Sequence, residues 1–195
     1  LFANIKLDHK KAETFYKKSI SLNQKIPEPY NNLGSIYRKY NKFDEAIDCY
    51  KKAISINPKF THAYYNLGTL YINTGNFTEA RKNLQEAIKL NPMYSLSHRT
   101  LSRLTKYDSK NKHFIELKKI YKKINIKDGE NKVNIAFALG KAYEDIKDFK
   151  KSFSFYSEAN FIYGKKINFS MEGEKNAFAN IKNSFNKKIF DRYIN

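Results

Sequence analysis

One cysteine, Cys49, stands in 195 residues, so no internal disulfide can form and cross-links contribute nothing to stability. Its position inside a helical pattern suits a small packing residue. No run of eighteen apolar residues occurs, so membrane insertion through a spanning helix is not expected. The first residues, Leu1 to Lys6, carry neither a charged leader ahead of a long apolar core nor a small-residue cleavage site. Nothing there argues for secretion, and the expected location is cytoplasmic. Catalytic equipment is also lacking. There is no glycine-rich phosphate loop, and His9, His62, His98 and His113 are scattered without metal-ligand spacing. No metal, no cofactor and no catalytic residue is therefore expected.

Acidic residues are scarce beside basic ones, 19 against 37, for a net charge of +18. That balance invites a polyanion partner. Arginine, the residue suited to bidentate contacts with phosphates and bases, appears only at positions 38, 81, 99, 103 and 192. The lysine pairs, such as Lys10-Lys11, Lys51-Lys52, Lys122-Lys123 and Lys187-Lys188, are spread along the chain instead of gathered in one run. A solvated basic surface and a dedicated polyanion site both remain open. The dispersion favours the first, and nucleic acid is not an expected partner.

What is present is apolar, aromatic and periodic. Hydrophobic residues make up 41%, including 15 Phe and 15 Tyr, enough for a core. Between residues 27 and 94 one pattern is written twice at a spacing of 34. Tyr30, Leu33, Gly34, Tyr37, Phe43, Ala46, Tyr50, Ala53 and Pro58 are answered by Tyr64, Leu67, Gly68, Tyr71, Phe77, Ala80, Leu84, Ala87 and Pro92. A fixed period of this length marks stacked repeats. Apolar residues at three- and four-residue steps make each half an amphipathic helix, so one repeat is a helical hairpin. Gly34 and Ala46 fall where the two helices cross, and Ala53 plays the same part toward the next hairpin. Asn57-Pro58 and Asn91-Pro92 end the second helices, because proline lacks an amide hydrogen and disfavours the α conformation before it. The pattern resembles the tetratricopeptide repeat. That resemblance implies an all-α, right-handed superhelical solenoid serving as a protein-binding or docking module.

In chain order, residues 1–26 carry the back end of an earlier repeat, with Ala12, Tyr16 and Ser19 in the register of Ala46, Tyr50 and Ala53. Repeats follow at 27–60 and 61–94. The next, 95–132, is degraded: Thr105 replaces the expected aromatic and Phe114 the expected small residue, so the helix crossing must be wider or tilted. Another copy, 133–166, is carried by Leu139, Gly140, Tyr143, Phe149, Tyr156 and Ala159, displaced by four inserted residues. The turn-like stretch Lys127-Asp128-Gly129-Glu130-Asn131 is the expected place for them. Residues 167–195 are expected to supply a capping helix, with Phe178, Ile181 and Phe185 on one face, and a tail.

The candidate site is the concave groove lined by the first helices. Asn32 and Asn66 recur there in register, and a carboxamide can donate to a peptide carbonyl and accept from a peptide N–H. This resembles the asparagine ladder of the O-linked N-acetylglucosamine transferase repeats, although Thr100 and Ala138 interrupt it here. Plain solvation of a polar helix face is the other reading. Asn31, Tyr65 and Asn73 share the groove, and Arg38, Lys39, Arg99 and Arg103 form a basic flank. The expected partner is a protein or peptide segment, an acidic one being among the alternatives. The sequence carries no signal of oligomeric state.

A second resemblance covers residues 95–190. His98 to Ser102, then Phe137, Lys141, Glu144, Asp145 and Asn160, are similar to the region ahead of the catalytic domain in bacterial tetratricopeptide-repeat sulfotransferases. It implies an alternative role as the non-catalytic, substrate-recognising part of such an enzyme. No phosphosulfate-binding loop is present, so on that alternative the chain is expected to be inactive alone.

Overall fold

The computed structural model describes residues 2–125 and 128–167, and side chains within 8–125 and 128–164. The described residues form helices and no strands: α1 (Phe2–Leu22), α2 (Pro27–Lys39), α3 (Phe43–Ile56), α4 (Thr61–Asn73), α5 (Phe77–Leu90), α6 (Ser95–Leu104), α7 (Lys112–Lys123), α8 (Gly129–Asp145) and α9 (Phe149–Ile167). The architecture is an all-α helical-repeat solenoid. The capping helix and tail expected beyond 167 lie outside the described residues.

Three hairpins, α2/α3, α4/α5 and α8/α9, close tightly, and the reason is local. A methyl group added to Gly34 would sit 2.8 Å from the Tyr50 ring, one at Gly68 2.9 Å from Leu84, and one at Gly140 2.7 Å from Tyr156. These are closer than carbon atoms tolerate, so the helices approach only because the side chain is missing. Opposite them Ala46, Ala53, Ala80 and Ala87 are fully buried. Each of these hairpins turns through one residue in the left-handed region at the same register, Asn41, Gly75 and Lys147. The chain leaves α1, α3 and α5 through a repeated asparagine turn. The side chains of Asn23, Asn57 and Asn91 accept from the backbone N–H two residues on, at 2.9, 3.0 and 3.0 Å. Ala80→Leu is expected to cost about 1–3 kcal/mol by overpacking the α4/α5 crossing. Exposed Lys82→Leu is expected to stay within about 0.5 kcal/mol. Urea denaturation of both variants checks the assignment of faces, and equal losses would refute it.

The third hairpin does not close. Ser102 occupies the glycine register and Phe114 the alanine register, and the backbones of α6 and α7 stay apart. Instead α6 lies against α8, where buried Ser95 hydrogen-bonds with Asn131 and Asn134. Helix α7 delivers Phe114, Leu117 and Ile120 to a core shared with Ile135, Leu139 and Ala142 of α8. The conformation expected for the four inserted residues needs correcting. Gly129, Glu130 and Asn131 are helical, and α8 has 17 residues where α2 and α4 have 13. The insertion lengthens the helix because its extra turn is packed: Asn131 accepts from Ser95 at 2.5 Å, and buried Lys132 lies 3.7 Å over the Tyr121 ring.

Candidate functional site

The first helices, α2, α4, α6 and α8, stand side by side and carry every candidate residue. Asn66 Nδ2 donates to Asn31 Oδ1 at 2.9 Å, and Asn31 Nδ2 donates to Asn32 Oδ1 at 3.4 Å. Asn31, 8% exposed, is the buried middle of this string, tying α4 to α2. Oriented this way, the string leaves Nδ2 of Asn32 and Oδ1 of Asn66 without a partner among the described residues. Tyr65 meets Tyr94 edge-on at 5.4 Å, and Tyr94 meets His62 at 5.2 Å. Burial pushes the Tyr94 hydroxyl up to about 12.

Arg99 is the most firmly placed candidate. Its guanidinium lies 4.2 Å over the Phe137 ring, and Nη1 donates to Asn134 Oδ1 at 3.1 Å. Asn134 in turn donates to Ser95 Oγ at 3.1 Å, so the guanidinium is held by a built chain across α6 and α8. Such stacking on an aromatic face contributes about 0.5–1 kcal/mol at exposed sites. Arg103, one turn further along α6, is exposed, Arg38 is half-buried and Asn73 is exposed at the end of α4. None of these three has a hydrogen-bond or ion-pair partner among the described residues. The string on α2 and α4 is separate from the arginine cluster on α6 and α8.

The nearby carboxylates are already engaged. Asp145 is clamped by Lys141, by Lys106 at 3.0 Å and by the Tyr107 N–H at 3.0 Å. Burial raises the Asp145 carboxyl, but those three hydrogen bonds outweigh it and hold the group below its usual range. Glu144 accepts from the Tyr156 hydroxyl at 3.0 Å. Phe137, Lys141, Glu144 and Asp145, which carried the second resemblance, thus all have packing or clamping roles within the repeats.

Sequence reasoning missed a cluster between α6 and α7. His98 Nε2 lies 2.9 Å from the Pro92 carbonyl, His98 Nδ1 2.9 Å from His113 Nε2, and His113 Nδ1 2.8 Å from the Tyr107 hydroxyl. A carbonyl only accepts, so the proton order is fixed. Tyr107 donates to His113, His113 to His98, and His98 to Pro92. Both imidazoles are neutral. Burial lowers His98, and burial followed by the His98 neighbour lowers His113 to about 3. Burial raises the Tyr107 hydroxyl. The wire ends on an inert carbonyl, so it bridges two helices and offers no base to a substrate. Phe114 in a small-residue register was the available signal that something other than helix contact joins α6 to α7.

A tetratricopeptide-repeat family model matches residues 27–60, and a second model of the same description matches residues 49–82. Residues 27–82 carry tetratricopeptide repeats. Among solved structures, a crystal structure of MamA is 26% identical, covering 85% of this chain and 95% of that one with a TM-score of 0.60. Another, of MamA protein, is 24% identical and covers 86% and 90%, with a TM-score of 0.58. An O-GlcNAc transferase mutant from Thermobaculum terrenum shares the fold at 18% identity and a TM-score of 0.51, over 60% of this chain and 23% of its own. No curated protein matches the sequence. Tetratricopeptide repeats are protein-interaction scaffolds, and among the described residues no helix is long and apolar enough to cross a membrane.

Proposed function

We propose that this tetratricopeptide-repeat chain docks an extended, acidic segment of a partner protein along the groove of α2, α4, α6 and α8. The observation that carries the reading is the state of the groove charges. The carboxylates at the C-terminal end of α8, Asp145 and Glu144, are consumed internally, whereas Arg99 is held ready by Phe137 and Asn134, with Arg103 on the same helix and Arg38 on α2 without hydrogen-bond or ion-pair partners among the described residues. A guanidinium pre-positioned in this way loses little side-chain freedom when a carboxylate arrives. The free donor of Asn32 and free acceptor of Asn66 suit peptide backbone, which supports an extended segment. Salt should weaken the complex, since these charges sit within reach of solvent.

The test is a fluorescence-anisotropy titration with a labelled peptide rich in Asp and Glu and with its Asn/Gln isostere. The acidic peptide is expected to bind at least about tenfold more tightly, a difference of about 1.4 kcal/mol. Combining Arg103→Ala with Arg38→Ala should reduce that advantage without moving the melting temperature. Asn32 and Asn66 are left intact because each is a partner of the buried Asn31 amide, and its loss would cost stability directly. Equal binding of the isostere would reject the acidic partner, and affinity indifferent to the double substitution would reject the groove.

A further inference from the structure

The open third hairpin leaves a cleft of about 440 Å³ between α5, α6 and α7, on the side of the second helices. Its floor is apolar, formed by the buried Ile88 and Leu101, which continue into the cluster around Leu84. One wall is the His113 ring. Both nitrogens of that ring are spent in the imidazole chain, so it presents aromatic surface and not a base. The rim is polar and uncommitted. Gln85, on α5, makes no hydrogen bond among the described residues. Asn111 uses only its oxygen, which accepts from the Phe114 N–H at 3.2 Å, so its Nδ2 remains a free donor. Lys112 and Glu116 both line the cleft one turn apart without forming an ion pair.

We propose that this cleft is a second binding site, independent of the groove, which takes a peptide segment of no net charge anchored by one large apolar side chain. The volume lies within the range of small-ligand sites, and the floor offers such a side chain the burial that α7 denies it in this repeat. Gln85 and Asn111, on different elements, supply the acceptor and donors that the flanking peptide groups require. Opposite charges on the rim cancel, so the site does not select the acidic segment proposed for the groove. The cleft is a direct consequence of Phe114, which diverts α7 onto α8.

N-acetyl-phenylalanine amide and N-acetyl-leucine amide, with N-acetyl-glycine amide as control, are titrated into the isotope-labelled full chain and followed by NMR. Saturable shifts are expected at the backbone amides of Ile88, Leu101, Asn111 and Glu116 with the first two probes and not with the third. Gln85→Trp and Glu116→Trp obstruct the cleft from opposite banks, and each should weaken binding by at least about tenfold while acidic-peptide binding in the groove is retained. Circular dichroism establishes that each variant is folded, so a folding failure in one leaves the other to decide. Absence of shifts, shifts gathered on α2 and α4, shifts equal with the glycine probe, or binding that survives both substitutions would overturn the proposal.

Discussion

Between pH 7 and pH 5 the folded chain is expected to lose about 2 kcal/mol of stability through His113 alone. His113 is neutral in the fold and lowered to about 3, against 6.5 for an unperturbed histidine. As the pH drops, the unfolded chain binds this proton first. The stabilisation is complete above 6.5 and drains as the pH falls toward 3, at about 1.4 kcal/mol per pH unit. His98 is lowered too and adds to the loss in the same direction. The groups facing the pair offer little relief, because Tyr107 already spends its proton on His113 and Glu116 reaches His98 only at a distance. Asp145 is also depressed, but its contribution is present above 3.8 and lost only below it, so measurements ending at pH 5 isolate the histidines. Urea melts at pH 7, 6 and 5 read the slope, and the ring-proton shifts of His113 read the site. Stability that does not change over this window, or a His113 that titrates near 6.5, would show that the imidazole chain is not buried as described. Replacing both histidines with glutamine should flatten the slope.

The same cluster marks the boundary of what the sequence makes legible. Regular hairpins are written in small residues at fixed spacing, and a reader of Gly34, Ala46, Gly68 and Ala80 arrives at the right helices because each crossing depends on its own two residues. The asparagine turns at 57 and 91 are equally local. The four extra residues, at the start of α8, mislead for a different reason. Gly129 and Asn131 have the composition of a turn, yet long-range contacts to Ser95 and Tyr121 make an additional helical turn worth forming. Long-range pairing also hides the groove chemistry. Nothing in the spacing of Arg99 announces that Asn134, 35 positions away, will hold it, or that Asn66 will share its amide with buried Asn31. The histidines were the hardest case, since 15 residues separate His98 from His113 and neither has a metal-ligand neighbour. Only the unclosed hairpin brings them together.

Phe114→Ala separates the repeat pattern from the structure most sharply. By the register of Ala46 and Ala80, alanine at 114 restores the consensus and should let α7 close on α6 with a gain in stability. The packing demands the opposite. Phe114 is 2% exposed and stacks edge-on against Tyr143 at 5.1 Å, beside Tyr107, with the Lys118 ammonium 4.4 Å over its ring. Removing it empties the centre of the core that joins α7 to α8, and truncation of a buried phenylalanine costs about 3–5 kcal/mol. Closure cannot recover this, because the His98–His113 bridge holds the two helices at a separation set by the imidazoles, not by a glycine contact. Tyr107 would lose its neighbour as well, loosening the hydroxyl that completes the imidazole chain, so the variant should also show His113 rising from its depressed value. Chemical denaturation of the variant, with the His113 titration measured alongside, gives both readouts. A stabilised Phe114→Ala protein would mean that the consensus hairpin is the preferred state and that the splayed arrangement of α6 and α7 is wrong. A loss of about 3 kcal/mol or more would establish Phe114 as the residue that turned a standard repeat into one with an open side.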